Sequence, residues 1–203
     1  MSESNPPEAR SYHHGDLRRA LVEAARRLVE SEGAAAMSLR AVAREAGVSP
    51  AAPYHHFKDK SELMDAVAAE GWAMLSAALF EASEKHPDDP LAPGIAYVAF
   101  ARERPALYQT MYDAARGKAS LPFFGIAEPG TPYAWVRETL DRGAQEESAL
   151  NVQLEIAASW CATHGLAEMA GFKQFDELKE ALGGETAFLR AVLEHMGLHQ
   201  HKR

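Results

Sequence analysis

Strand-forming residues are scarce in this chain, and that scarcity constrains its fold more than any other feature. Among 203 residues there are 39 Ala and 19 Leu but only 9 Val and 3 Ile. Helices favour Ala and Leu, whereas strands draw on β-branched side chains. The prolines stand at positions 6, 7, 50, 53, 87, 90, 93, 105, 122, 129 and 132, and none follows Pro132. Long stretches between these marks are free to be helical, so an all-α fold is expected. A hydrophobic fraction of 47 % with 25 % charged residues suits a globular protein and excludes a disordered one. No uncharged apolar run approaches the ~18 residues of a membrane span. The first sixteen residues are polar and include two prolines, so no signal peptide is expected. A single cysteine, Cys161, rules out an intrachain disulfide framework and suits a reducing cytoplasm.

Charge is unevenly spread. The net charge is −8, yet residues 1–60 hold nine Lys and Arg against eight Asp and Glu, leaving the acidic excess to residues 61–203. Such asymmetry points to an interaction surface in the first sixty residues. There, Leu17, Ala20, Leu21, Ala24, Ala25, Leu28 and Val29 recur at helical spacing, with Arg18, Arg19, Arg26 and Arg27 off the stripe. Gly33 is placed to end that helix, and Ser38 to cap a second one over Leu39–Ala46. After a Gly47-Val48 turn, Ser49 stands as the cap of a short third helix with Pro50 at its favoured first position. Two short helices joined by a Gly-containing turn make a helix-turn-helix, which presents its second helix to the DNA major groove. Pro53 would remove the first intrahelical hydrogen bond of that second helix and tighten its first turn. Asp59 and Glu62, three apart, form the capping box of a long following helix.

The segment Ser38-Leu39-Arg40-Ala41-Val42-Ala43-Arg44-Glu45-Ala46-Gly47-Val48-Ser49, followed by Tyr54-His55-His56-Phe57-Lys58-Asp59-Lys60-Ser61-Glu62-Leu63, closely resembles the tetracycline-repressor (TetR) family of bacterial transcription regulators. The resemblance covers about residues 15–65. It implies a homodimeric, two-domain, all-α protein that binds a palindromic double-stranded DNA operator, usually as a repressor. It also implies a small-molecule effector that alters the spacing of the two recognition helices. Carried over residue by residue, Ser38, Tyr54 and Lys60 would hold phosphates, with Arg40 in the same surface. Ser49, Ala51, Ala52 and His55 would face bases, the alanines by contact with a thymine methyl. His13, His14 and Arg18 would reach the adjacent backbone. Against this, Phe57 reads as core, Tyr54 as equally core or contact, and Arg26 and Arg27 as a solvated face. The expected division is an arm at 1–14, the helix-turn-helix domain at 15–60, a helical effector and dimerisation domain at 61–198, and a tail at 199–203.

In the larger domain, helices are expected at about 61–85, 91–103, 105–115, 132–144, 148–170 and 185–196, with a Pro-Asp-rich break at 86–90. Trp160, His164 and Gly165 resemble the Trp-His-Gly C-terminal domain of one TetR branch, and Pro50-Ala51-Ala52-Pro53-Tyr54 resembles that branch too. Trp160 and His164 share a helix face at a spacing of four, and Gly165 would permit close helix packing. Candidates to line an apolar effector pocket are Tyr97, Phe100, Tyr108, Met111, Tyr112, Phe123, Phe124, Trp135, Trp160 and His164. Taken one at a time, each also reads as plain core. Candidates for the dimer interface are Leu150, Leu154, Ala157 and Cys161 on one helix, with Phe188, Leu189, Val192 and Met196 on the next. Such stripes more often serve the protomer's own core; the resemblance favours the interface.

Cys161 and His164 are three apart on the expected helix, as a thiolate–imidazole pair would be. Cys161 is flanked by Trp160 and Ala162 and reads instead as a small buried apolar residue. No Gly-rich phosphate loop, nucleophile elbow or paired-ligand metal motif occurs, so neither an enzyme, a cofactor nor a metal is expected. Two functions stay open: a cytoplasmic, ligand-responsive DNA-binding regulator, or a helical module that binds small molecules or proteins and has lost DNA reading.

Overall fold

The computed structural model describes residues 14–116 and 149–197, and every regular element among them is helical. In order they are α1 (His14–Glu32), α2 (Leu39–Glu45), a 3-10 turn (Ala52–His55), α3 (Lys60–Lys85), α4 (Ala92–Glu103), α5 (Pro105–Ala115), α6 (Ala149–Met169), a second 3-10 turn (Lys173–Phe175), α7 (Asp176–Leu182) and α8 (Glu185–His195). The chain divides into two compact units within α3, at Val67 and Ala68. The helix expected at 132–144 lies outside the described residues.

In unit 1, α1 packs on α2, and α2 on the first 3-10 turn. The expected apolar stripe of α1 is the buried one: Leu21, Ala24, Ala25, Leu28 and Val29 meet a core that includes Met37, Val42, Ala43, Phe57 and Leu63. Chain reversals fall where backbone freedom allows them. Gly33 (φ +82°) and Gly47 (φ +69°) occupy the left-handed region, where a Cβ is strained. The Gly33 N–H donates to Val29 O at 2.9 Å, closing α1. The Ser38 hydroxyl oxygen accepts from the Ala41 N–H at 3.2 Å and caps α2. At the start of α3, Asp59 Oδ1 accepts from Glu62 N–H, and Glu62 Oε2 accepts from Lys58 N–H, both at 2.9 Å.

In unit 2, α4 is the central helix, packed against α5, α6 and α8. Its position is held from both ends. The Arg190 guanidinium of α8 donates two parallel bonds to the Asp89 carboxylate just before α4, and Arg102 near the end of α4 pairs with Glu185. The Arg190 pair holds the Asp89 carboxyl below the usual carboxylate range. Two glycines allow close approach. A Cβ on Gly94 would lie 3.2 Å from Leu193 Cδ1, and one on Gly71 would lie 2.7 Å from both Cγ and Sδ of Met111. Gly165, expected to serve this purpose, has no described atom within 4 Å of such a Cβ.

The long α3 contains an 18-residue stretch of mean hydropathy 1.3, enough by length and composition to cross a membrane. Its Leu63, Val67, Ala68, Trp72, Leu75 and Leu79 are buried inside protein instead, as in the core helix of a globular fold. The helix α7 lies outside the expected helical stretches. This helix has only seven residues and buries none of them; Leu178, Ala181 and Leu182 keep helical spacing over just one turn, too short a run to mark a helix, and Gly183 (φ +91°) ends it. Its Lys179 ammonium lies 5.9 Å from the Phe188 ring centroid.

The two glycines provide a paired test. Gly71→Val should destabilise unit 2 by about 1–3 kcal/mol through overpacking on Met111. Gly165→Ala, in an open helical position, should be neutral or stabilising by up to ~1 kcal/mol. Chemical denaturation of both variants checks this, and equal losses would refute the packing assignment.

Candidate functional site

Two groups of side chains carry the functional candidates, one in each unit. In unit 1 the expected third helix is a single 3-10 turn. Pro53 has no N–H to donate, and the backbone closes around it with short-range bonds: Ala52 N–H to Ser49 O at 3.0 Å, Tyr54 N–H to Ala51 O at 3.1 Å and Phe57 N–H to Pro53 O at 2.9 Å. Pro53 and Phe57 are buried, which anchors the turn. Ser49, Ala51, Tyr54 and His55 are thereby left exposed, and Ala52 is half-buried. Tyr54 is 55 % exposed, which removes it from the core.

The surrounding cations divide into engaged and available. Arg27 pairs with Glu23 at 3.0 Å and Glu45 at 3.1 Å, and Arg26 with Glu30 at 2.7 Å. The Arg18 guanidinium lies 4.9 Å from the Phe57 ring centroid. Arg40 is exposed and makes no ion pair with any described residue. The Lys60 ammonium donates to Ala34 O at 2.9 Å, which orients it and leaves two of its three N–H groups unspent. The Ser38 hydroxyl spends its oxygen on the α2 cap and retains its proton.

In unit 2 five expected pocket residues from three helices converge on one hydrogen-bonded cluster. Tyr97 comes from α4, Tyr108 and Tyr112 from α5, Trp160 and His164 from α6. The Tyr97 hydroxyl lies 3.0 Å from that of Tyr108 and also bonds that of Tyr112. Tyr108 Oη is 2.5 Å and Tyr97 Oη 3.4 Å from His164 Nδ1. The Trp160 indole N–H donates to Tyr112 Oη at 2.9 Å. Ring contacts reinforce these bonds: Tyr112 and His164 centroids are 4.4 Å apart, and Tyr108 and Tyr112 4.9 Å. The spacing of four puts the Trp160 and His164 rings 6.4 Å apart on one face.

Burial governs the electrostatics. All three phenols are pushed above the ordinary tyrosine value, chiefly because desolvation disfavours phenolate. Burial likewise holds the His164 imidazole below its ordinary value; Glu168 opposes that shift and Arg116 adds to it. Near neutral pH the cluster is therefore uncharged, with one carboxylate and one guanidinium beside it.

The remaining candidates are dispersed. Phe100 and Met111 are buried, Met111 against the open face of Gly71. Phe123, Phe124 and Trp135 lie outside the described residues. Trp72 was not among the pocket candidates, yet its ring meets that of Tyr112 edge-on at 5.2 Å; its only sequence signal was a place on the apolar stripe of α3. Of the interface candidates, Phe188 and Leu189 are buried within unit 2 itself, because α8 packs on α4, α6 and α7. Leu154 is 58 % and Met196 52 % exposed. Ala157 and Val192 are half-buried, and the side chain of Leu150 lies outside those described. Cys161 is exposed rather than buried. It therefore shares the outer face of α6 with Leu154 and Ala158, while the His164 Nδ1 is engaged by tyrosines. A surface cleft of about 490 Å³ is lined by Asp89, Pro90, Leu91, Arg190, Glu194 and His195, none of them a pocket candidate.

Comparison with known proteins follows the same division. Residues 21–67 match the family model of bacterial regulatory proteins of the tetR family, and residues 91–196 that of the tetracyclin repressor-like C-terminal domain. Over 77 residues the chain is 34 % identical to the HTH-type transcriptional regulator AcrR of Shigella flexneri; that match spans 38 % of this chain and 36 % of AcrR. A protein of unknown function from Rhodococcus sp. RHA1 is 28 % identical with a TM-score of 0.64, covering 93 % of this chain and 96 % of that one. A TetR-family transcriptional regulator from Haemophilus influenzae shares the fold at 24 % identity and a TM-score of 0.55, covering 89 % and 97 %.

The neutral state of His164 has a consequence for stability. The folded chain disfavours its proton, whereas the unfolded chain takes it up near the ordinary value of 6.5. As pH falls through and below that value, the unfolded state binds more protons and stability declines. The stability advantage of wild type over His164→Gln should therefore shrink between about pH 7.5 and about pH 5.5. Denaturant titrations of both proteins at the two pH values read this directly; a growing advantage would contradict it.

Proposed function

The chain belongs to the tetracycline-repressor family of bacterial transcriptional regulators, and from that premise we propose that it represses transcription by binding a palindromic operator as a homodimer and leaves it when an effector binds unit 2. The observation that carries the DNA-reading part is the exposure of Tyr54 and His55 on a turn whose Pro53 and Phe57 are buried. A half-exposed tyrosine contributes little to the core and much to a polar, phosphate-rich partner. Ser38, Tyr54, Lys60 and Arg40 are the phosphate contacts in this reading. Ser49, Ala51, Ala52 and His55 face base edges, with contact area restricted to one turn. The small residues let the backbone of the turn approach the groove floor closely.

The protein works in the bacterial cytoplasm, associated with the nucleoid when on DNA. Its two protomers pair through the outer face of α6, where Leu154 and Cys161 are exposed, and through Met196 after α8. A two-fold dimer matches half-sites spaced about one helical turn apart, or a multiple of it. The effector acts at the aromatic cluster by favouring the state whose reading turns are wrongly spaced; by linkage, DNA weakens effector binding equally.

Selection of genomic fragments by the purified protein, at low and at physiological salt, tests this. A recovered palindrome whose binding weakens steeply with salt is the expected result, because phosphate contacts release counterions. Enrichment of no sequence at either salt would favour the DNA-silent module. With the operator in hand, His55→Ala should reduce discrimination between operator and random DNA by roughly tenfold, as loss of one base contact does. Lys60→Ala should weaken both alike. Fluorescence anisotropy on the two DNAs separates these effects, and parallel losses in both variants would remove His55 from base reading.

A further inference from the structure

The aromatic cluster contains one hydrogen-bond donor that its own network does not use. Its partners fix which one. Indole N–H is a donor only, so Tyr112 Oη accepts from Trp160 at one end of the chain of contacts. Every hydroxyl then both accepts and donates in only one arrangement: Tyr112 donates to Tyr97, Tyr97 to Tyr108, and Tyr108 to His164 Nδ1. Were Nδ1 protonated, the chain would run backwards from His164. Tyr112 would then accept two hydrogen bonds, and the O–H of this half-buried residue would be left with no acceptor in good hydrogen-bond geometry within the cluster. Unmet buried donors are disfavoured. The His164 proton therefore belongs on Nε2, which bonds no described residue. His164 is half-buried, and no buried side-chain nitrogen or oxygen among the described residues lacks a partner, so this N–H is accessible.

Resting on the reading of unit 2 as the effector domain, we propose that His164 offers its Nε2–H to an acceptor oxygen, carbonyl or carboxylate, on a planar and largely apolar effector. The half-buried rings of Tyr112 and Trp160, stacked with centroids 6.2 Å apart, supply flat apolar surface beside it. The cluster offers a cation no anionic partner of its own. Its phenols keep their protons; the Glu168 carboxylate near His164 is exposed, and Arg116, just after α5, acts on His164 in the opposite sense. A purely apolar molecule would leave the donor unpaired. A single acceptor completes the site.

The test has two parts on the full-length protein. Long-range nitrogen-15 correlation spectra near neutral pH report histidine tautomers, with the His164 signals assigned by their loss in His164→Gln. The Nε2–H tautomer is expected; an Nδ1–H tautomer or an imidazolium would overturn the proposal without touching the effector reading. Then acetophenone, benzoate, isopropylbenzene and benzamidinium, similar in size but different in polarity, are titrated against the His164 signals and tryptophan fluorescence. Acetophenone or benzoate should bind roughly tenfold tighter than the other two, and which of them leads separates a neutral carbonyl from a carboxylate. His164→Phe should erase that preference while retaining isopropylbenzene, and His164→Gln, which keeps an N–H, should restore part of it. Preference for benzamidinium or isopropylbenzene would overturn the ligand class and leave an effector site standing. Binding of none of the probes would overturn the proposal as well, and silence of the cluster toward a broad small-molecule library would take the effector reading with it.

Discussion

Three tyrosine hydroxyls are drawn into the interior of unit 2, and each must find a partner there or lose the bonds it had with water. That requirement ties α4, α5 and α6 together more narrowly than apolar packing does. Apolar contacts tolerate a shift of an ångström or so at small cost. A row of hydroxyls ending on an imidazole at 2.5 Å does not. Around it, Gly71 admits Met111 and Gly94 admits Leu193, so the helices close to the distance the bonds require. The Asp89–Arg190 and Arg102–Glu185 pairs hold α8 against α4 near both ends of that central helix.

The same network links fold to function. A cluster that is internally satisfied and uncharged, with one accessible N–H, is preorganised toward a partner of complementary polarity. It is also rigid, because moving any one helix breaks bonds to the other two. An effector that engaged His164, as proposed, would act on α6 and, through Tyr108 and Tyr97, on α5 and α4 together. Two arrangements of such a bonded set are discrete rather than graded, which is the property a regulatory switch needs.

In unit 1 the governing constraint is a single missing donor. Pro53 lacks the N–H that would begin a regular third helix, so the backbone takes a tighter 3-10 path and buries the proline ring. The result exposes Tyr54 and His55 and anchors the turn through Phe57, on whose face Arg18 lies. Ion pairing sorts the remaining cations, with Arg26 and Arg27 committed to carboxylates and Arg40 left available.

Local chemistry makes much of this legible in the sequence. Helix propensity and proline placement determined an all-α chain, and caps at Ser38 and Asp59 with turns at Gly33 and Gly47 set the boundaries of α1 to α3, because each depends on residues within a few positions. The helix face shared by Trp160 and His164 followed from spacing alone. What stayed hidden depends on neighbours distant in sequence. Gly165 and Gly94 look alike in the chain, and only packing shows that Gly94 meets another helix. Phe188 and Leu189 form an apolar stripe whichever surface they serve; the packing of α8 on α4, α6 and α7 buries them inside unit 2. Cys161 sits among apolar residues in sequence and on the exposed face of α6 in space. The direction of the tyrosine chain, and hence the donor that His164 presents, needed three helices brought together, since proton placement is decided by partners that are 11 to 67 residues apart.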